Sequence, residues 1–290
     1  MIIIAESGAT KIEWVAVGQG LGPVKVRTAG INLASMPEEA VEAIAKEAAG
    51  EFAKKGIGPG VDEIHFYAAG LITSPGVPVP EQAIGLDKVL RSFYPGAVIE
   101  YASDLLDAAR AVCGDKPGIA AILGTGSNSC FYDGEKIVKN VRSAGFILGD
   151  EGGGARLGKL FMSDFLKGLV PEPVAGEFAS EFEVDYLTVV KNVYKGDAPS
   201  RYLGSFAPWI MARYESSEYV RNLAEGNFRD FIERALKQYD LEHFPVGVIG
   251  GFGHAYEKVL RKVSEPYGIH FSKIISSSLE GLVDYHQGRF

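Results

Sequence analysis

The stretch Ile119-Ala120-Ala121-Ile122-Leu123-Gly124-Thr125-Gly126-Ser127-Asn128-Ser129-Cys130 runs from apolar residues into a small, hydroxyl-bearing turn and back again. A short apolar run bounded by turn chemistry reads as a buried strand, which puts Gly124 to Ser127 at a hairpin tip. Glycines on both sides of Thr125 remove Cβ atoms where a ligand would approach the backbone. The Thr125 and Ser127 hydroxyls add donors beside free N–H groups, so the composition suits the cradling of phosphate. An ordinary Gly-rich hairpin has the same composition, and the reading depends on whether such turns recur. They do. Ile2-Ile3-Ile4-Ala5 enters Glu6-Ser7-Gly8-Ala9-Thr10-Lys11, and Val248-Ile249 enters Gly250-Gly251. Gly149-Asp150-Glu151-Gly152-Gly153-Gly154 sets adjacent carboxylates in a glycine-lined turn, where they repel unless donors or a metal offset them. Asp104 stands between a strand-like run, 97–101, and a helix, at the end of a strand where open α/β sheets place their ligands. A carboxylate there can orient a hydroxyl and accept its proton. Ser103 or Asp104 is equally a preferred helix N-cap.

The elements that must hold these residues alternate. Strands are predicted over 2–6, 12–17 and 24–27, followed by a helix opened by Pro37 in which Val41, Ile44, Ala45, Ala48 and Phe52 recur at helical spacing. Strand 63–68, helix 81–93, strand 97–101 and a helix with Leu105, Ala108, Ala109, Val112 and Cys113 on one face come next, ending at Gly114. The second half repeats the plan with strands 119–123, 129–132 and 136–138. Helices dominate from Leu157 to about 240, with strand 246–249, helix 255–264, strand 269–272 and a C-terminal amphipathic helix after them. This alternation predicts an α/β fold.

At 290 residues, with 47% apolar and 23% charged residues, the composition is that of a globular protein able to bury a large core. A formal charge of -8 without a Lys/Arg cluster argues against nucleic acid as a partner. No basic leader and no apolar run near the length of a membrane span occur, so a soluble, cytoplasmic protein with no membrane partner is expected. Cys113 and Cys130 are expected to be buried thiols, and the scattered histidines give no zinc spacing.

Taken in order, the loops resemble those of the sugar kinase, actin and heat-shock ATPase superfamily. The strand-turn-strand segment 2–17 is similar to its first phosphate loop, LGTGSNSC to the second, VIGGFG to the adenosine loop, and GDEGGG to a motif of N-acetylglucosamine kinases. With Ser103-Asp104 these blocks follow the family order and span nearly the whole chain. The chain thereby looks like an N-acetylglucosamine kinase-like member of the BadF/BadG/BcrA/BcrD-type ATPases. The resemblance implies two ribonuclease-H-like (actin-like ATPase) domains, 1–115 with the C-terminal helix 278–290, and 116–277 with a helical insertion, with a nucleotide and sugar cleft between them.

The resemblance also implies ATP-dependent phosphorylation of an amino sugar, N-acetylglucosamine to its 6-phosphate, with ATP and Mg²⁺ as cofactors. A homodimer is left open. By position, Asp104 matches the catalytic base. Ser7, Gly8, Thr10, Lys11, Gly124, Thr125, Gly126 and Ser127 match phosphate contacts, and Gly250 and Gly251 the adenosine contacts. Asn32, Asn128, Gly145 and Asp150 match sugar contacts, and Glu6 the metal position. Glu6 replaces the family's usual Asp, and Ser7 and Ala9 replace two customary glycines. The extra methylene shifts a carboxylate that must meet the strict octahedral geometry of Mg²⁺. The extended family also contains ATPases that activate CoA-ester reductases and dehydratases through an iron-sulfur cluster held by paired cysteines. Neither Cys113, after the Asp104 helix, nor Cys130, on a strand expected to be buried, resembles such a ligand. A sugar- or nucleotide-binding module without turnover is the third reading, favoured by Glu6 and Ser7.

Overall fold

The computed structural model describes residues 1–8, 11–18, 20–31, 33, 36–71 and 77–290, and for Leu21 the backbone alone. The chain divides into two compact units, Met1–Asp115 with Ser278–Phe290, and Lys116–Ser277.

In the first unit β1 (Ile2–Ser7), β2 (Lys11–Gly18) and β3 (Leu21–Ala29) form an antiparallel meander, and β4 (Glu63–Ala68) and β5 (Val98–Ser103) add in parallel to give the order β3-β2-β1-β4-β5. β1 is central, so its consecutive Ile3, Ile4 and Ala5 are all buried. Helices α1 (Glu38–Lys54) and α2 (Ile84–Phe93) pack together. Val41, Ala45, Ala48, Ala49 and Phe52 form the buried stripe of α1, and Glu38 and Glu39 meet its positive N-terminus. Helix α3 (Asp104–Cys113) and the C-terminal helix (Leu279–His286) pack against each other. Their approach needs Gly281, since a Cβ there would lie 2.4 Å from the Ala111 carbonyl oxygen.

A polar network ties the C-terminal helix down. Arg110 on α3 donates two bonds of 2.9 Å to the Glu100 carboxylate and one of 2.7 Å to the Tyr67 hydroxyl. With its oxygen so engaged, Tyr67 donates its proton to His286 Nε2 at 2.7 Å, and the His65 ring stacks on His286 at 3.7 Å. Burial, then the proximity of His65 and Arg110, push the His286 imidazole down to about 3. Burial alone would raise Glu100, but hydrogen bonds from His65 and Arg110 outweigh it and bring the carboxyl down to about 2. Both folded values lie below the ordinary 6.5 and 4.5. The unfolded chain therefore binds protons first as pH falls, and the stabilisation is present above those values and lost beneath them. Thermal unfolding followed from pH 8 to pH 4 should show the wild-type midpoint falling relative to that of His286→Gln, which can still accept from Tyr67, as pH drops below about 6.5.

The second unit repeats the topology. β6 (Gly118–Leu123), β7 (Ser127–Tyr132) and β8 (Ile137–Val141) form the meander, and β9 (Val246–Ile249) and β10 (Phe271–Ile275) add in parallel, giving β10-β9-β6-β7-β8. Between β8 and β9 lie α4 (Gly145–Leu148), α5 (Gly154–Leu166), α6 (Val174–Glu181), α7 (Tyr186–Tyr194), α8 (Pro199–Gly204), α9 (Ala207–Met211) and α10 (Glu218–Arg234). Phe161 of α5, Phe178 of α6 and Trp209 of α9 join these three helices through edge-to-face contacts at 4.9–5.8 Å. After β9 come α11 (Gly251–Ala255) and α12 (Glu257–Ser264), broken at Tyr256 where one helix, 255–264, is expected. The last strand also lies later than the expected 269–272, because Ile274 and Ile275 pair with Val248 and Ile249. Cys130 is buried as expected, but Cys113, at the last turn of α3, is partly exposed. Among the described residues no helix is long and apolar enough to cross a membrane.

Candidate active site

In the first unit the site is built around the C-terminal ends of β1 and β5. Ser103, not Asp104, caps α3, its Oγ accepting the Leu106 N–H at 3.2 Å. Asp104 therefore stands in the first turn of the helix with its carboxylate released from capping. Burial raises the Asp104 carboxyl above the usual range, against the pull of the Leu105 N–H and its own. That shift moves it toward the value a general base needs near neutral pH.

One turn on, Asp107 is buried and its Oδ1 lacks a hydrogen-bond partner. Burial pushes the Asp107 carboxyl well above its ordinary 3.8. The charges of Glu6 and Asp104 add to the shift, and the Ser278 hydroxyl and Arg110 oppose it. An orphaned buried carboxyl oxygen beside a second carboxylate is an unfavourable arrangement that a divalent cation relieves. Glu6, Asp104 and Asp107 do not close into a cage of three ligands, and among the described residues no such group occurs. Mg²⁺ asks for less, one or two carboxylates with water and substrate phosphate. Glu6 and Asp107 fit that demand.

Asp107 is a residue that sequence reasoning missed. Its signal was an Asp three residues after Asp104, set among Leu105, Ala108, Ala109 and Val112 in the buried stripe of a helix. Because its folded value is raised, stability is lost as pH climbs from about 3.8 toward that value. Asp107→Asn should therefore raise the unfolding midpoint near neutral pH by a few degrees in metal-free buffer, and the gain should fade as pH falls toward 4. Differential scanning fluorimetry across pH measures it.

The first loop is partly committed to structure. The Gly8 N–H closes the hairpin onto the Lys11 carbonyl at 3.0 Å. Ser7 is buried and donates its hydroxyl to the Ile31 carbonyl at 3.2 Å, so its side chain serves the fold and leaves a ligand only the backbone. Lys11 Nζ, half-exposed, pairs with Glu13 at 2.7 Å. Glu6 lies opposite Glu13 on β2 and beside Tyr67 on β4. Thr10 and Asn32 lie outside the described residues.

The second unit gathers three of the glycine motifs. The Gly124 N–H bonds the Gly126 carbonyl at 3.0 Å, and α5 docks its first turn on the same tip through Gly154 N–H to Gly124 O and Ala155 N–H to Thr125 O, both 2.9 Å. The N–H groups of Thr125 and Gly126 have no hydrogen-bond partner among the described residues, which leaves them as donors at an exposed tip. Gly250, at φ 126°, abuts this turn from β9; a Cβ there would lie 2.4 Å from the Leu123 carbonyl oxygen. Asp150 occupies the left-handed region at φ 55°, with its N–H bonded to Ser143 O at 3.0 Å, and its Oδ1 accepts the Ser127 N–H at 3.3 Å. Burial raises the Asp150 carboxyl, and the Ser127 N–H opposes that rise.

Asn227 on α10, also missed from sequence, holds the glycine turn from behind, accepting from Gly152 N–H and donating to Gly153 O, both at 3.1 Å. Ser127 and Asn128 line a pocket of about 230 Å³ together with Arg142, Gly149, Glu151 and Arg234. Gly145 opens α4, exposed and at φ 70°, and does not line it.

Two five-stranded sheets of this order, each with a glycine turn after its first or second strand, define the class: a two-domain member of the sugar kinase and actin-like ATPase superfamily. No family model and no curated protein matches the chain. Among solved structures it is 36% identical, over 99% of both chains and with a TM-score of 0.86, to a protein of Porphyromonas gingivalis provisionally named an N-acetylglucosamine kinase. The chain belongs to that protein's family. A second protein so named, from Chromobacterium violaceum, shares the fold at 18% identity, 98% of both chains and a TM-score of 0.72. The glucokinase of Streptomyces griseus solved with glucose and AMPPNP shares it at 18% identity, 99% of this chain and 98% of that one, with a TM-score of 0.53.

Proposed function

We propose that the protein is an ATP-dependent sugar kinase of the cytoplasm that transfers the γ-phosphoryl group to the 6-hydroxyl of N-acetylglucosamine. The observation that carries this reading is Asp104: a carboxylate at the end of β5, relieved of capping by Ser103 and raised by burial. It accepts the proton of the attacking hydroxyl. Asp150 and Asn128 bind sugar hydroxyls. The N–H groups of Thr125 and Gly126 and the ammonium of Lys11 bind phosphate oxygens, whereas Gly8, whose N–H is spent on the Lys11 carbonyl, is a contact by family position alone. Gly250 and Gly251 let adenosine approach the backbone. Thr10, Asn32 and Gly145 remain assigned by family position alone. Glu6 and Asp107 would hold Mg²⁺, which when bound neutralises charge on the phosphates. The name of the P. gingivalis relative supports the amino sugar, and the GDEGGG motif supports it independently. Placement among the BadF/BadG/BcrA/BcrD-type ATPases rests on the loop motifs.

A coupled ADP-release assay over N-acetylglucosamine, N-acetylmannosamine, glucose and no sugar tests the proposal. ADP release that requires a sugar, with the highest kcat/KM for N-acetylglucosamine, is expected. Release independent of sugar would instead support an ATPase that drives another protein.

A further inference from the structure

We propose that Asn140, on the edge strand β8, is a positioning residue that locks the Asn128 side chain with its NH₂ group toward the sugar, so that the ligand must present a hydrogen-bond acceptor there. The inference rests on the reading of Asn128 as a sugar contact. The orientation of both amides follows from their partners. Asn140 Nδ2 lies 2.7 Å from the Ser129 carbonyl oxygen and 3.3 Å from that of Val141. Carbonyl oxygens only accept, so the Asn140 atom facing them is the amide nitrogen. That nitrogen is 2.9 Å from the terminal atom of Asn128, which also takes the Ser129 N–H at 2.9 Å. Two donors converge on that atom, which must therefore be Oδ1. Asn128 Nδ2 is left with no partner among the described residues, on a side chain lining the 230 Å³ pocket.

Register explains why Asn140 performs this task. Cys130 pairs with Asn140 and Ser129 with Val141, so Asn128 and Asn140 are diagonal neighbours across β7 and β8. Tyr239 holds the two strands in that register, its hydroxyl accepting the Val141 N–H at 2.8 Å and donating to the Ser129 carbonyl at 2.9 Å. Asn140 is exposed and does not line the pocket, so it acts through Asn128. Asp150, which accepts the Ser127 N–H, does not line that pocket, so the demand for an acceptor on the ligand comes from Asn128 alone.

Steady-state kinetics of the full chain with N-acetylglucosamine and ATP test this in wild type, Asn140→Ala, Asn128→Ala and the double variant. Loss of a hydrogen bond that fixes the donor should raise the sugar KM about tenfold, with kcat and the ATP KM unchanged. In the Asn128→Ala background the Asn140 substitution should add nothing. Asn128→Asp keeps both donors satisfied but turns an acceptor to the ligand, and should raise the sugar KM further at an unchanged unfolding temperature. An unaltered sugar KM in Asn140→Ala, or a rise that is undiminished in the Asn128→Ala background, overturns the inference and leaves the kinase standing. A parallel loss of sugar and ATP affinity with a lowered unfolding temperature also overturns it, marking Asn140 as structural. A wild type without sugar-dependent turnover overturns the kinase reading and this inference together.

Discussion

Asp104→Asn is expected to lower kcat by about a hundred- to ten-thousand-fold, the range general-base removal produces, while the sugar dissociation constant stays within roughly tenfold. The amide keeps the shape of the carboxylate and can still meet a hydroxyl, but it cannot take the proton as the oxygen attacks phosphorus. Ser103 carries the helix cap, so the substitution leaves the start of α3 intact. The unfolding temperature should accordingly change little or rise, since a partly buried charge is removed. The same carboxyl sets the acid limb of the wild-type profile: with its folded value raised above 3.8, activity should fall as pH drops through that raised value, and the limb should sit above the ordinary aspartate range. Isothermal titration with sugar alongside single-turnover phosphoryl transfer separates binding from chemistry. Near-native turnover in Asp104→Asn would remove the residue from its role.

The second large effect is expected at Glu6. If its carboxylate serves Mg²⁺ together with Asp107, Glu6→Gln should raise the Mg²⁺ concentration for half-maximal turnover by about tenfold and lower turnover at saturation, because a neutral ligand surrenders charge at the ion. Glu6→Asp, the residue usual in the wider family, should preserve or improve activity provided that Asp107 still reaches the ion from α3. Electron paramagnetic resonance of bound Mn²⁺ gives a readout apart from catalysis, and its affinity should fall in Glu6→Gln and in Asp107→Asn alike. Indistinguishable metal titrations for wild type, Glu6→Gln and Glu6→Asp would mean that Glu6 does not face the metal and that the first loop is aligned wrongly.

How much of this was legible in one dimension depends on the range of the forces involved. The strand and turn order, the α/β alternation and the four glycine motifs are local in the chain, because a glycine turn after an apolar run follows from φ,ψ freedom and burial over a few residues. Those features, with their order, carry the superfamily resemblance, and they sufficed for the fold class. Boundaries that depend on a partner strand did not follow: β10 runs on to Ile275, past the expected 272, because its pairing with β9 continues through Ile274 and Ile275.

Side-chain roles set by contacts across the fold were out of reach altogether. Nothing near Ser7 in the chain announces that Ile31 takes its hydroxyl. The orphaned oxygen of Asp107 exists only because α3, β1 and the residue before the C-terminal helix converge from positions 107, 6 and 278. Sequence likewise left Ser103 and Asp104 as equal candidates for the cap, and only the bond from Leu106 N–H to Ser103 Oγ frees the aspartate. The amide of Asn128 is oriented by a residue on the next strand. The sequence by itself thus determined which backbone turns can come close to a ligand, since that is a property of residue type. Tertiary structure decided which polar groups are satisfied, buried or left over, because hydrogen bonding and desolvation depend on neighbours that the chain brings together only when it folds.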